Sequence, residues 1–323
     1  MTRLLVLTPN PAVDVTYTVD DQRVGVTLRV PSTQRRPGGK GLNVTRTLSD
    51  LGRAALAVQP LGGVAGDWIE LELSRAGIEF VAVPTLTETR STIVVVDGRT
   101  HPTLYTEAGL PLSDDTWAAL QDTVRAHAEP GGTVVISGSF PPDTTHEHVC
   151  QLVTAARTAG ARVVVDTSGP ALLAAAGARA DVVKPNTDEL LEATAAPDLQ
   201  TGMRALLARG AGAVVVSRGH EGLVGLTSDG PYLVQPAVPG VAGNPTGAGD
   251  AATAGLVLAL DAGHDLAEAM RLASVTGAAA VTAPTAGELD VASLPTLASR
   301  LPEANQPRVL QLQTAPSPHK APP

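Results

Sequence analysis

The chain has 323 residues, of which 43% are hydrophobic and 17% charged, and this composition suits one large α/β domain and excludes a mostly disordered chain. The net charge of −9 and the scattered basic residues argue against nucleic acid or an acidic membrane surface as a partner. A single cysteine excludes an intrachain disulfide and a cysteine-based zinc site, and no apolar run approaches the ~18 residues of a membrane span. We therefore expect a soluble, cytoplasmic protein.

The first predicted strand, Leu4–Leu7, ends at a turn with two prolines, which prevent its continuation. Asp14 follows in the exit segment. Because ligands of α/β sheets collect beyond the carboxyl ends of strands, Asp14 is a candidate for binding a polar substrate, and a turn-capping aspartate is the alternative. Residues 13–19 alternate apolar and polar side chains, and residues 28–30 resume the alternation, which predicts half-exposed antiparallel strands.

A glycine-rich segment, Arg-Arg-Pro-Gly-Gly-Lys-Gly-Leu-Asn-Val at residues 35–44, leads into a helix predicted over residues 45–51. Glycines beside a lysine at a helix start predict the close approach of an anionic or hydroxyl-rich ligand, with Lys40 as a mobile cation and Asn43 as a reader of hydroxyl groups. This segment is not a Walker loop, because Gly41 rather than serine or threonine follows the lysine.

Three half-polar segments between residues 80 and 107 do not suit a buried parallel core. We predict a small lid sheet from about residues 12–30 and 80–107, packed over the site or against the same sheet of a partner chain in a homodimer. Arg90 would project from this lid towards a ligand, and an exposed, solvated arginine is the alternative.

From residue 114 onward, short buried strands alternate with helices, which predicts βαβ units and a doubly wound, mostly parallel sheet. His146 and His148 are not a convincing metal pair, because alternate residues of a helix point about 200° apart. Residues 302–323 contain six prolines and few large apolar residues. We therefore expect one domain over residues 1–300 and a disordered, proline-rich tail over residues 301–323.

The run Gly-Ala-Gly-Asp at residues 247–250 leads into an alanine-rich predicted helix. Backbone N–H groups of Gly247, Ala248 and Gly249 can point at one spot beside the Asp250 carboxylate. Together with the positive end of the helix dipole, these amides favour a phosphate, or the charge that develops on one during transfer. The alternative is that Asp250 only caps the helix, and this stretch alone leaves both interpretations open.

The ordered set of motifs resembles the PfkB family of sugar kinases, and within it the branch of 1-phosphofructokinases and tagatose-6-phosphate kinases. The resemblance spans roughly residues 3–290. The motifs that carry it are Asp14, the glycine-rich run at 37–44, Glu88-Thr89-Arg90, Ser137-Gly138-Ser139, the Asp-Thr-Ser-Gly run at 166–169, Lys184-Pro185-Asn186 with Glu189, and the Gly-Ala-Gly-Asp run at 247–250.

This resemblance implies a ribokinase-like three-layer α/β/α sandwich, with a central mostly parallel sheet and a small β-sheet lid. It also implies an enzyme that uses ATP and Mg²⁺ to phosphorylate a hydroxyl of a ketohexose phosphate: fructose 1-phosphate, tagatose 6-phosphate or fructose 6-phosphate. Asp250 would be the general base, while the amides of Gly247, Ala248 and Gly249 would hold the transferring phosphoryl group.

The resemblance further implies binding residues on both sides of the reaction. The residues that would bind sugar hydroxyls are Asp14, Gly38, Gly39 and Asn43. The residues that would hold the phosphate already on the sugar are Lys40, Arg90 and Ser139, with Arg29 as a weaker candidate. Lys184 would lie near the nucleotide phosphates, and Asn186 with Glu189 would organise Mg²⁺ largely through water. The residues that would line the nucleotide are Ser217, Gly219, Gly222 and, near the adenine, Ser274.

Some positions depart from this branch, including Thr92, Arg218 and Ala251. They put the sugar identity in doubt and leave the reaction type unchanged. The alternative kinase would act on an unphosphorylated sugar or a nucleoside, which the two cations Lys40 and Arg90 disfavour. A non-catalytic sensor would not need Asp250, and a dinucleotide oxidoreductase would need a glycine motif where this chain has prolines after its first strand.

Overall fold

The computed structural model describes residues 3–97, 102–283 and 288–301. Its strands are β1 (Leu4–Leu7), β2 (Ala12–Thr18), β3 (Ser32–Gly38), β4 (Leu56–Leu61), β5 (Phe80–Pro84), β6 (Arg90–Val96), β7 (Thr103–Thr106), β8 (Thr133–Ser137), β9 (Arg162–Asp166), β10 (Val182–Val183), β11 (Ala213–Ser217), β12 (Leu223–Thr227) and β13 (Leu233–Gln235). Its α-helices are α1 (Lys40–Asp50), α2 (Gly63–Arg75), α3 (Asp114–His127), α4 (His146–Thr158), α5 (Gly169–Gly177), α6 (Thr187–Thr194), α7 (Leu199–Arg209), α8 (Ala248–Asp261), α9 (Leu266–Thr282) and α10 (Leu294–Arg300).

The large sheet has the strand order β13-β12-β11-β10-β9-β8-β1-β4-β5. Neighbouring strands from β11 to β5 are parallel, and β12 and β13 run antiparallel at one edge. The central strands are apolar runs without exposed faces, such as residues 134–136 and 163–165, which are fully buried. Continuous runs of this kind are expected where helices cover both faces of a parallel sheet.

Two helical layers enclose the large sheet. Because side chains alternate along a strand, Leu5 and Leu7 of β1 pack on one face with α3, α4, α5 and α7. Leu4 and Val6 pack on the other face with α1, α8 and α9. This arrangement confirms the predicted three-layer α/β/α sandwich, and it brings the carboxyl ends of β1, β8, β9 and β10 to the same edge.

The second sheet, which we call the lid sheet, has the strand order β3-β2-β6-β7. Strand β2 is antiparallel to β3 and parallel to β6, and β7 is antiparallel to β6. Val13 and Val15 of β2 pack in one apolar cluster with Leu42 of α1 and Ile69 of α2. The lid sheet is therefore anchored at the start of β2, beside the carboxyl edge of the large sheet.

Two predicted lid segments are wrong in detail. Residues 80–84 form β5, which pairs with β4 at the edge of the large sheet, because a half-exposed edge strand shows the same alternation as a lid strand. Residues 28–30 are irregular, and the lid strand is instead Ser32–Gly38, which includes the first residues of the glycine-rich segment. Pro37 is compatible with this strand because β3 lies at the edge of the lid sheet.

Helix α1 begins at Lys40 rather than at residue 45, with Gly39 as its N-cap at a φ of 101°. Asn43 therefore belongs to the first turn of the helix instead of the segment before it. Among the described residues, no helix is long and apolar enough to cross a bilayer. The predicted disordered tail lies outside the described residues beyond position 301.

Candidate active site

Helix α8 begins just before the aspartate that the sequence singled out. Its N-cap is Gly247, whose backbone is left-handed with a φ of 86°, a conformation that glycine adopts without strain. A Cβ added at Gly249 would meet no described atom within 4 Å, so the space beside the first turn is open to a ligand. Asp250 is not the cap of α8, and its Oδ2 accepts a hydrogen bond from Nδ2 of Asn43 at 2.7 Å.

Asp250 is only 8% exposed, and its surroundings favour the protonated form of the carboxyl. Burial, and then the neighbouring charge of Asp166, raises its pKa from 3.8 to about 6, against the hydrogen bond from Asn43. Lys40 and Lys184 also act to lower it. A carboxyl with this pKa is mostly ionised at neutral pH and binds a proton more readily than an ordinary aspartate. The group can therefore accept a proton from a bound hydroxyl.

A second buried carboxylate, Asp166, ends strand β9 and behaves in the opposite way. Nζ of Lys184 lies 2.9 Å from its Oδ2, and Nζ of Lys40 lies 3.5 Å from its Oδ1. The hydroxyl of Thr253, one turn beyond Asp250 on α8, donates to the same Oδ2. Burial alone would raise the pKa of Asp166, but Lys184 and then Lys40 lower it to about 2. Asp166 is thus a fixed negative charge that ties β9 to α8.

Lys40 reaches a third carboxylate, since its Nζ lies 3.1 Å from Oε1 of Glu189. Asp166 is the main cause that raises the pKa of Lys40, with burial opposing and Glu189 assisting. Asn186 and Glu189 form a reciprocal cap at the start of α6, each side chain accepting from the other's backbone N–H at 2.8 and 2.9 Å. The sequence placed Lys40 on the phosphate of the sugar, whereas the structure places its ammonium group between Asp166 and Glu189.

The predicted sugar-binding residues of the lid side do come together. A Cβ added at Gly38 would lie 2.1 Å from Cγ of Asp14, so only glycine allows this carboxylate to fold back against β3. Burial raises the pKa of Asp14, while Arg46, Arg36 and Arg90 lower it, as does a hydrogen bond from the N–H of Gly39. Beside it opens a cavity of about 340 Å³, whose lining consists of Asp14, Thr16, Gln34, Arg35, Arg36 and Glu288.

Arg90 is not a freely solvated surface residue. Its Nε and Nη2 donate to the carbonyl oxygen of Asn10 at 3.2 and 3.0 Å, and its Nη1 donates to that of Glu107 at 2.6 Å. Nη2 also lies 3.4 Å from Oγ of Ser139, which is another residue expected to hold the sugar phosphate. Arg29, the weaker candidate, is exposed in the irregular segment between β2 and β3, and the described contacts do not bring it to this pair.

The predicted nucleotide residues lie at the other end of the same sheet edge. Ser217 ends β11 and is bridged to Asn186, which follows β10. Gly222 has a φ of 86°, and a Cβ there would lie 2.2 Å from the carbonyl oxygen of Gln235, so glycine is required. The hydroxyl of Ser274 on α9 donates to the carbonyl of Pro236 at 3.0 Å. Gly219 starts the short 3₁₀ helix between β11 and β12. These residues form a continuous rim from α6 to α9.

The sequence assigned no role to several residues that the structure brings into the site. Asp166 was noted only as part of a motif, although it stands at the carboxyl end of a buried apolar run. Arg46 lies three residues after Asn43 on α1, so the sequence could have shown that both side chains leave the same face of the helix. Thr253 and Asn10 left no such signal, because their partners are remote in sequence.

A model of the pfkB family carbohydrate kinases matches residues 8–292. The chain therefore belongs to the pfkB family of carbohydrate kinases. It is 33% identical over 289 residues to ATP-dependent 6-phosphofructokinase isozyme 2 of Escherichia coli K12, covering 87% of this chain and 93% of that protein. It is 37% identical over 286 residues to 1-phosphofructokinase of Xanthomonas campestris, covering 84% and 88%.

Solved structures agree with this family. The crystal structure of E. coli phosphofructokinase-2 in complex with potassium superposes with a TM-score of 0.86 at 29% identity, covering 93% of this chain and 99% of that one. Arabidopsis thaliana ribokinase, at 21% identity and a TM-score of 0.70, shares the fold. The predicted family, the ribokinase-like fold and the activity of a sugar kinase that transfers phosphate from ATP to a hydroxyl are thus confirmed.

Proposed function

We propose that this kinase phosphorylates a hydroxyl of a ketohexose phosphate, with Asp250 as the general base. The substrate is fructose 1-phosphate, tagatose 6-phosphate or fructose 6-phosphate. The observation that carries the proposal is the buried Asp250 carboxyl, with a pKa of about 6, at the first turn of α8 beside an open glycine-rich turn.

Each part of the site has a task in this reaction. Asp250 accepts the proton of the attacking sugar hydroxyl, while the amides of Gly247, Ala248 and Gly249 stabilise the charge that builds on the transferring phosphoryl group. Lys184 and Lys40 add positive charge on the nucleotide side. Since phosphoryl transfer needs little covalent help from the protein, most of the rate comes from positioning and electrostatics.

A phosphorylated sugar is favoured over an unphosphorylated one by the charges around Asp14. Three guanidinium groups, those of Arg46, Arg36 and Arg90, act on the Asp14 carboxylate, and such groups suit the phosphate of a sugar ligand. Arg90 and Ser139 are adjacent and would hold the phosphate of the sugar. The named relatives are phosphofructokinases, which supports the same choice.

Mg²⁺ fits the nucleotide side chemically. Asn186 and Glu189 offer hard oxygen donors, but the oxygens that form their reciprocal cap are already engaged. The described residues contain no cluster of three or more His, Cys, Asp or Glu able to enclose a metal. Asn186 and Glu189 would therefore hold the ion mainly through water, as Mg²⁺ prefers, and the ion would neutralise phosphate charge.

The lid sheet supports a homodimer as the assembly. Leu104 and Tyr105 of β7 are 54% and 58% exposed, and β3 has four exposed residues in succession. We propose that two lid sheets pack together and that residues 1–300 form one kinase domain, acting in the cytoplasm where ATP is supplied. One structure of E. coli phosphofructokinase-2 is described as a tetrameric inhibited form, so the sedimentation mass must separate dimer from tetramer.

The test compares substrates and one matched pair of variants. Phosphorylated and unphosphorylated ketohexoses are assayed with ATP and Mg²⁺, and kcat/KM should be highest for one hexose phosphate. Asp250→Asn should lower kcat by ~10²- to 10⁴-fold, the usual contribution of a positioned general base. Asp265→Asn is the control, because Asp265 only caps α9 through the N–H of Glu268 and asparagine caps equally well. Turnover by Asp250→Asn above about a tenth of the normal rate would exclude the base.

A further inference from the structure

Arg46 and Asn43 lie three residues apart on α1, so both side chains leave the same face of the helix. Nη2 of Arg46 donates to Oδ1 of Asn43, and Nη1 donates to the carbonyl oxygen of Pro37 in the lid strand β3. Nδ2 of Asn43 in turn donates to Oδ2 of Asp250 at 2.7 Å. A chain of hydrogen bonds therefore runs from the lid sheet through Arg46 and Asn43 to the carboxylate.

The two neighbours of Asn43 determine which way its amide points. A guanidinium group can only donate, so the amide atom that faces Arg46 must be the oxygen. An ionised carboxylate can only accept, so the atom that faces Asp250 must be the nitrogen. If Asp250 were protonated and donated to Oδ1 instead, the amide would have to flip and its nitrogen would then face the arginine. Arg46 opposes this flip.

We propose that Arg46 is a positioning residue for the general base, acting by holding the Asn43 amide so that it donates to Asp250 and favours the ionised carboxylate. This inference rests on the proposed role of Asp250. It also assigns one oxygen of Asp250, Oδ2, to the amide, which leaves Oδ1 to receive the proton of the sugar hydroxyl.

Other charges also face Asp250 and must be kept apart from this effect. They are Asp166 at the end of β9, Lys40 on α1, Lys184 after β10, and Arg46 itself through space. Burial, followed by the charge of Arg36, lowers the pKa of Arg46 to about 10, so it remains cationic at neutral pH. Arg46 can therefore act on Asp250 either through the Asn43 amide or directly by its charge, and the experiment must distinguish these routes.

The experiment is a double-mutant cycle with Arg46→Met and Asn43→Ala. The quantity measured is the pH below which kcat/KM for the phosphosugar falls, which reports the essential base of the free enzyme. We expect Arg46→Met to move this pH upward by about one unit, so that the loss is ~10-fold at low pH and small well above the base pKa. In the Asn43→Ala background, Arg46→Met should cause no further shift.

Arg46→Lys keeps the charge but offers one ammonium group for two acceptors, so it should shift the pH below which kcat/KM falls by an intermediate amount. The same variant replaces Arg46→Met in the experiment if Arg46→Met folds poorly. Arg53→Met is the control, because Arg53 follows the same helix and pairs with Asp261 at 2.9 Å; it should leave the profile in place. If Asn43→Ala turns over too slowly, the cycle is read from the pH dependence of unfolding, as the change caused by Asp250→Asn in each background.

Two results would overturn the proposal that Arg46 acts on Asp250 through the Asn43 amide. An unchanged profile in Arg46→Met and Arg46→Lys would show that the arginine does not act on the base. An equal shift in the presence and absence of the Asn43 amide would show that the charge acts through space alone. Failure of the proposed function is recognised separately, because it would appear as an active Asp250→Asn variant, whatever Arg46 does.

Discussion

Asp166 and Asp250 are both buried carboxyls beside the carboxyl edge of the parallel sheet, yet their pKa values move in opposite directions. At the end of β9, two lysines and the Thr253 hydroxyl bring the pKa of Asp166 to about 2 despite its burial. In the first turn of α8, burial and the charge of Asp166 raise the pKa of Asp250 to about 6. Asp166 keeps a permanent charge, whereas Asp250 can take up a proton near neutral pH, and the difference arises from their partners rather than from residue type.

The strongest test of this comparison replaces Asp166. Asp166→Asn removes the charge that pairs the buried Lys184, which is 2% exposed. Leaving one member of a buried pair unpaired typically costs about 3–5 kcal/mol, so we expect the free energy of unfolding in denaturant to fall by this amount.

A replacement of Asp261, which pairs with Arg53 at the C-terminal end of α8, is a useful reference for Asp166→Asn. The replacement of Asp261 should lower stability without changing the pKa values of the carboxyl groups in the site. Should Asp166→Asn unfold as the wild type does, the pair with Lys184 would carry no net stability and the comparison would fail.

Asp250→Asn should have the opposite effect on the free energy of unfolding. Because folding raises the pKa of Asp250 from 3.8 to about 6, its contribution to stability is present below about pH 4 and is lost as the pH rises through about 6. About two units correspond to ~3 kcal/mol, so Asp250→Asn should be up to about 3 kcal/mol more stable than wild type near pH 8. Urea unfolding near pH 4 and pH 8 measures this. A gain that is equal at both pH values would show that the titration of Asp250 is not its cause.

The sequence predicted the parallel core well because buried strands such as β8 and β9 are continuous apolar runs. It missed β3, since Arg35, Arg36 and Pro37 resemble a loop and only pairing with β2 makes them a strand. It did not predict the contacts of Lys40 with Asp166 and Glu189 for a related reason. Motifs identify the residues at strand ends, but the contacts among Lys40, Asp166 and Glu189 join positions more than a hundred residues apart, which local patterns do not encode.

Arg90→Ala tests whether Arg90 binds the phosphate group of the sugar. If Arg90 holds the phosphate of the sugar, removing charge-assisted contacts costs about 1.5–3 kcal/mol, so KM for the phosphosugar should rise ~10- to 100-fold while KM for ATP changes little. Arg75→Ala is the matched control, since Arg75 pairs with Glu72 on the surface of α2. An unchanged KM for the phosphosugar would make Arg90 a structural link between Asn10 and Glu107.

The smallest expected effect concerns Thr253, which joins the two regions. Its hydroxyl donates to Asp166 and also lies 3.0 Å from the carbonyl of Gly249, one turn back on α8. Thr276 on α9 is equally buried and bonds to carbonyls of its own helix. Thr253→Val and Thr276→Val therefore both lose a bond within a helix, and only the first also loses a bond to a charged group.

A hydrogen bond to a charged group contributes about 1.5–3 kcal/mol, more than a neutral one, so Thr253→Val should be the less stable variant by ~1 kcal/mol or more. Its kcat should also fall a few-fold, because Thr253 lies one turn after Asp250 and α8 loses an anchor to β9. Thermal unfolding and steady-state kinetics of the two variants measure both effects. Equal stabilities would mean that Lys184 and Lys40 alone keep Asp166 ionised. Helix α8 and strand β9 would then be held together by packing rather than by this hydrogen bond.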